Sequence, residues 1–165
     1  MMSSFAITFG LCALCAVALA FAVNLLLPET YKSPRNYAWF MGLRRPAWLT
    51  FERLIPVIWI SIFLCGIGSA ACLWEQDPPQ AGWWMAAYGA LEIIILAYMP
   101  ALCGLRSLRI GAMVGLTGWL LGGILTLLVV SFSGTAAALL VPYLLWSPIG
   151  TYVTWEMIRL NPEQD

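Results

Sequence analysis

Five stretches of about twenty or more residues, nearly free of charge, constrain this chain more than any other feature. Phe5–Leu27, Leu54–Trp74 and Ile110–Phe132 carry no charged residue; Ala81–Leu105 carries only Glu92, and Thr135–Ile158 only Glu156. A helix needs about 20 predominantly apolar residues to cross the hydrocarbon layer. Spanning strands would be about 10 residues long and would alternate apolar with polar. These runs are longer than that and apolar on every face. The sequence therefore predicts an all-α integral membrane protein. It forms a single five-helix bundle over residues 1–165, with spans at about 5–27, 54–74, 81–105, 110–132 and 135–158 and a long, structured first loop.

Composition narrows the function. The chain is 62% apolar and 10% charged, against roughly 45–50% and about 25% in soluble domains. Eight basic and eight acidic residues leave no net charge, so a basic nucleic-acid footprint is excluded. Histidine is absent. Histidine-based triads, HExxH zinc sites and histidine-ligated haem are excluded with it. Neither a catalytic constellation nor a metal site is legible, and the chain reads as a non-enzyme without a resident cofactor. The lipid bilayer is its first partner.

The first stretch resembles a secretory signal, with small residues at Ala18-Leu19-Ala20. However, no Lys or Arg precedes Lys32, so the positive n-region is missing and the stretch is read as a retained span. Five spans put the two termini on opposite sides. All eight basic residues (Lys32, Arg35, Arg44, Arg45, Arg53, Arg106, Arg109 and Arg159) then fall on the side of the long loop and the C-terminus. The positive-inside bias predicts an external N-terminus and a cytoplasmic C-terminus.

Residues 28–53 are the one connection long enough for structure of its own. Tyr31, Tyr37, Trp39, Phe40, Trp48 and Phe51 stand there among basic residues. So many aromatics argue against disorder. Two readings stay open: an interfacial aromatic belt, or a lid over a cavity between the helix ends. A lid of this chemistry suits a flat apolar ligand with anionic edges, since rings stack on its face and Arg forks grip carboxylates.

Several segments carry a resemblance to a known family. Arg45-Pro46-Ala47-Trp48 followed by Pro56-Val57-Ile58-Trp59 resembles the "KPxW…PxxW" segment of the TspO/MBR family. Tyr88, Pro100 and Gly104 fall at that family's third-span spacing. Pro142-Tyr143-Leu144-Leu145-Trp146 and Glu156-Met157-Ile158-Arg159-Leu160-Asn161 match its fifth span. The resemblance covers nearly the whole chain from about residue 30. It implies a membrane protein that binds, senses or transports a hydrophobic planar ligand, a tetrapyrrole such as a porphyrin or a sterol-like molecule. Trp48, Trp59, Tyr143 and Trp146 would supply stacking surface, and Arg44 and Arg45 would meet carboxylates at the mouth. A porphyrin would enter as ligand, and without histidine a metal-free one is the simpler fit.

The sequence also departs from the family. Its "WxPP" reads Trp48-Leu49-Thr50-Phe51, and its third-span "QLxxN" falls on Leu91, Glu92 and Ile95. The family's next tryptophan is Tyr98, and its fifth-span asparagine is Thr154. The amides that face the family's ligand are gone, which makes this a divergent member and puts the ligand's identity in doubt.

Glu92 sits near the middle of its span, where an ionised group costs a few kcal/mol by insertion scales. It is either a neutral carboxyl hydrogen-bonded to a neighbouring helix or part of the ligand site, together with Tyr98. Glu156 and Arg159, at i and i+3, read as an interfacial ion pair. Gly111, Gly115, Gly118 and Gly122 form one stripe where another backbone approaches closely. That backbone belongs to the bundle, to a second copy in a homodimer, or to a partner subunit. Cys12, Cys15, Cys65, Cys72 and Cys103 lie within spans and read as small core residues. Trp39, Trp74, Trp83, Trp84 and Trp155 read as belt residues, and Trp119 as packing.

A reading from another class remains: a structural or accessory subunit of a larger membrane complex that has shed its ligand. An ion-coupled transporter acting through Glu92 is disfavoured, because such proteins are usually built from repeats and none is visible.

Overall fold

The computed structural model describes residues 4–26 and 33–164. Leu27, Tyr31 and Lys32 of the sequence reading lie outside the described residues. Six helices make up the described chain: α1 (Ser4–Leu26), α2 (Pro34–Gly42), α3 (Ile55–Trp74), α4 (Ala81–Gly104), α5 (Leu108–Val129) and α6 (Gly134–Leu160). A single 3-10 turn, Glu52–Leu54, leads into α3. Five of the helices are long and apolar enough to cross a membrane; α2 belongs to the long loop.

Local chemistry sets the helix starts. The Ser33 hydroxyl accepts from the Asn36 backbone N–H at 3.2 Å, and Pro34 stands where a missing N–H costs nothing. Ser107 caps α5 through Ile110 at 3.3 Å, and Ser133 caps α6 through Ala136 at 3.2 Å. The α4–α5 corner is a Schellman closure. Ser107 N–H donates to Leu102 C=O and Arg106 N–H to Cys103 C=O, with Arg106 at φ +47°. Glycine usually takes that left-handed position. The strain at Arg106 is offset by its side chain, whose Nε donates to Asn36 Oδ1 at 2.7 Å and ties α2 to the corner.

Packing is antiparallel and sequential. The α5 helix lies between α4 and α6, α3 packs on α6, and α1 leans on α3 and α4. No residue of α1 is buried in the bundle; Leu14, Val17 and Phe21 face outward, as a lipid-facing helix requires. Two core clusters stand at different levels. One joins Ile62, Leu73, Leu91, Leu125, Val129, Ala136, Leu140 and Tyr143. The other joins Leu43 of the loop to Leu102, Cys103, Leu108 and Met157.

Cross-links between connections show which ends share a side. At one end, Glu75 after α3 accepts from Ser4 Oγ at 3.0 Å and from Thr8. At the other, the loop reaches the α4–α5 corner through Asn36 and the end of α6 through Asn161. This second, basic end holds every described Lys or Arg of the chain.

Lipid tails give no hydrophobic drive for helices to associate, so close packing and polar contacts hold the bundle. The glycine stripe of α5 supplies the close packing and faces inward. A Cβ on Gly111 would come within 2.6 Å of Leu102 Cδ1, one on Gly115 within 2.7 Å of Thr151 Oγ1, and one on Gly118 within 2.9 Å of the Tyr143 hydroxyl. One on Gly122 would fall on the Tyr143 ring. The stripe is thus occupied by α4 and α6 of the same chain. The homodimer and partner-subunit readings of these glycines give way, because the space a second backbone would need is filled by Tyr143, Thr151 and Leu102.

Three prolines interrupt helices: Pro100 in α4, Pro142 and Pro148 in α6. Pro148 cannot donate to the carbonyl four residues earlier, that of Leu144. The Trp119 indole N–H donates to that carbonyl at 3.1 Å. Trp119 therefore closes a proline-made gap inside the membrane, beyond the packing role read from the sequence.

Candidate functional site

A cavity of about 750 Å³ lies between α3, α4, α5 and α6, is bordered by Ala20, Val23 and Asn24 of α1, and runs to the basic end. Proline-opened helices and the glycines of α5 make room for it. Pro100, Gly115, Gly118 and Gly150 all contribute to its wall. Its size lies within the roughly 300–1,000 Å³ of small-molecule sites.

Aromatic rings stand at several points of a lining that is otherwise largely aliphatic. Trp59 of α3 and Tyr143 of α6 stand with ring centroids 6.5 Å apart, and Phe63 lies 6.0 Å from Trp59. Trp146, one turn along α6, lines the cavity and meets Phe51 of the loop edge-on at 6.2 Å. Tyr98 of α4 completes this set. Trp59, Tyr98, Tyr143 and Trp146, singled out in the sequence, are thus brought to one cavity.

Two of the departures from the family pattern meet there. Thr154, 2% exposed, donates its hydroxyl to Gly150 C=O at 3.0 Å. Its oxygen is left to accept from the Tyr98 hydroxyl, with which it is hydrogen-bonded. Both residues line the cavity. A tryptophan and an amide have been replaced as a mutually satisfied pair, which leaves less free hydrogen-bonding capacity for a ligand.

The loop closes the basic end. Phe40, Arg45, Leu49 and Glu52 reach the cavity wall. Arg45 forms an ion pair with Glu52 at 2.8 Å, donates to Leu43 C=O at 2.8 Å, and lies 5.0 Å from the centre of the Phe40 ring. Its guanidinium is therefore fully engaged in folding the loop: Nη1 also reaches Met41 C=O at 3.4 Å, and Nη2 donates to Phe40 C=O at 3.3 Å and lies against Met41 Sδ. Asn161 fastens the same loop. Its side-chain amide pairs with both backbone groups of Arg44, accepting at 2.8 Å and donating at 2.9 Å.

Other residues of the sequence reading stand elsewhere. Arg44 does not line the cavity; its backbone is pinned by Asn161 and its side chain is exposed at the basic end. Trp48 also lies outside the wall. It stacks on Tyr152 at 5.9 Å, and its indole N–H donates to Glu156 at 2.6 Å, clasping the loop to α6. That bond also corrects the expected Glu156–Arg159 ion pair. The carboxylate turns to the loop, while Arg159 lies back over the Trp155 ring, 5.4 Å from its centre. Glu92 lines a second cavity farther from the basic end. Conversely, Asn36 holds the lid to the α4–α5 corner but was not singled out; Phe40 and Asn161 were named only as a loop aromatic and as the end of the fifth-span motif.

Five spanning helices, an inward glycine seam and a cavity between the helices that the long loop borders define a multi-pass membrane protein. The model of the "TspO/MBR family" matches residues 12–160, and the chain belongs to that family. It is 24% identical to the tryptophan-rich protein TspO of Chlorobaculum tepidum, over 94% of this chain and 97% of the relative. It is 27% identical to protein CrtK of Rhodobacter capsulatus, over 76% and 79%, respectively. It is 24% identical to the tryptophan-rich sensory protein of Cereibacter sphaeroides, over 74% and 77%.

Proposed function

We propose that this protein binds a flat, hydrophobic molecule in the large cavity and senses it or hands it on, with a tetrapyrrole or sterol-like compound as the ligand class. The carrying observation is the cavity itself: about 750 Å³, walled by Trp59, Tyr143 and Trp146 and covered by the loop. Rings on several sides favour a planar π-system, which stacks without needing many hydrogen bonds. The Arg44 side chain, exposed at the basic end, gives an anionic edge group a partner near the mouth, while the Arg45 guanidinium is taken up by the loop. The name of the Cereibacter relative, a sensory protein, supports a sensing role. The basic end faces the cytoplasm in this reading, in accord with the positive-inside bias.

Titration of the purified protein with protoporphyrin, read as tryptophan-fluorescence quenching, tests the reading. Saturable quenching, weakened severalfold in Trp146→Leu, is expected. Linear quenching equal in both proteins would overturn it and leave the accessory-subunit reading in its place.

A further inference from the structure

A second cavity, of about 520 Å³, lies between α1, α3, α4 and α6 in the half of the bundle away from the lid. It is separate from the lidded cavity; Phe63, Ile95 and Tyr143 line both and form the partition. Most of its wall is aliphatic: Leu11, Leu19, Ile62, Ile67, Leu139 and their neighbours. Its polar groups are few, and most are occupied. Thr8 is bonded to Glu75, and the Tyr88 hydroxyl to Ser69, whose own proton goes to Ala136 C=O at 2.7 Å.

Glu92 is the exception. It lies at the middle of the 24-residue α4 and lines this cavity, yet it has no hydrogen-bond or ion-pair partner among the described residues. Nor does the bundle contain a counter-charge for it. The α1 and α3 helices carry no charged residue, Glu92 is the only one in α4, and the cations of α5 and α6 stand at the basic end. An intramembrane carboxyl is ordinarily paired with a neighbouring side chain or backbone group. Here the helices around it offer none.

We propose that the second cavity is a binding site for an amphiphile with an apolar body and one basic amine, whose ammonium meets the Glu92 carboxyl. The aliphatic wall takes the body, and the carboxyl gives the orienting contact, a charge-assisted hydrogen bond of the strong kind. An anionic or purely polar molecule is rejected by the same wall and the same acid. The site goes beyond the lidded cavity and does not depend on what that cavity binds.

The test uses the protein in nanodiscs of zwitterionic lipid and two probes. Dansylcadaverine carries a primary amine; its partner is the same dansyl chain ending in a methyl group. Binding is read from the blue shift of dansyl emission and from energy transfer out of Trp74, which lines the cavity. The wild type is expected to bind the amine saturably. Glu92→Gln should weaken it about tenfold, the scale of one charge-assisted bond, and should leave the methyl probe's partitioning unchanged. Gly66 lines this cavity and not the lidded one, and a Cβ there meets nothing within 4 Å, so Gly66→Leu can leave the backbone unstrained and put its bulk into the space. It should also weaken amine binding about tenfold while protoporphyrin quenching stays at the wild-type level. Equal affinity of the amine for wild type and Glu92→Gln overturns the proposal and marks the space as lipid-filled. Amine binding undiminished in Gly66→Leu overturns it as well. Failure of protoporphyrin to bind any of the proteins would count against the lidded cavity alone.

Discussion

The Trp119–Leu144 bond shows how a single residue repairs a backbone defect where water cannot. Pro148 removes the donor for the Leu144 carbonyl, and an orphaned carbonyl in hydrocarbon costs free energy that a solvated one does not. Trp119 supplies the donor from α5 at 3.1 Å. Trp119→Phe keeps the ring and deletes the N–H. It should cost about 1 kcal/mol, the scale of inter-helix hydrogen bonds in membranes, seen as a lower midpoint in denaturant unfolding; an unchanged midpoint would sink the assignment. The bond was invisible in the sequence because donor and acceptor are 25 residues apart and only the fold aligns them. The Tyr98–Thr154 pair was half legible. Each position stood out as a departure from the family, but nothing in a linear pattern says that two departures answer each other.

Among elements, α5 and the lid shape the cavity. The glycine stripe was plain in the sequence, but its partner was not, since a small-residue face suits any backbone that can reach it. The Tyr143 ring settles the matter by occupying the space over Gly118 and Gly122. Gly122→Ala puts a methyl group into that ring. The overpacking should cost about 1–3 kcal/mol and, by pushing Tyr143 toward the cavity, weaken protoporphyrin binding; a variant with wild-type stability and binding would contradict the packing described. The lid makes a separate prediction. Asn161→Ala removes two hydrogen bonds to the Arg44 backbone, so amide exchange across residues 43–45 should quicken while exchange within α5 stays slow. Uniform protection in both proteins would mean that Asn161 does not hold the lid. The loop's aromatics correctly announced structure. The division of labour among them, with Phe40 at the cavity and Trp48 clasping α6, depends on a chain path that composition does not encode.

At the scale of the molecule, the number of spans and the sharing of ends followed from length, hydropathy and charge. The two cavities did not. A span that is apolar on every face gives no sign of which face meets lipid and which meets a void, so the sequence left Glu92 between a bond to a neighbouring helix and the ligand site, and its side chain lines the second cavity instead. The sidedness of the bundle can be tested directly. Gln76→Cys, in the turn after α3, should react with an impermeant maleimide added to intact spheroplasts. Gln164→Cys, beyond α6, should react only after permeabilisation. The reverse pattern would invert the orientation drawn from the basic residues.

The claim on which the account turns is that an apolar ligand occupies the lidded cavity. The most direct measurement is protoporphyrin quenching of Gly150→Leu beside the wild type. Gly150 lines that cavity, a Cβ there meets nothing within 4 Å, and all nine tryptophans that report the quenching are retained. Saturable quenching is expected in the wild type and at least a tenfold loss of affinity in the variant, with the helical circular dichroism unchanged. Equal saturable quenching in the two proteins would place the ligand elsewhere and contradict the account.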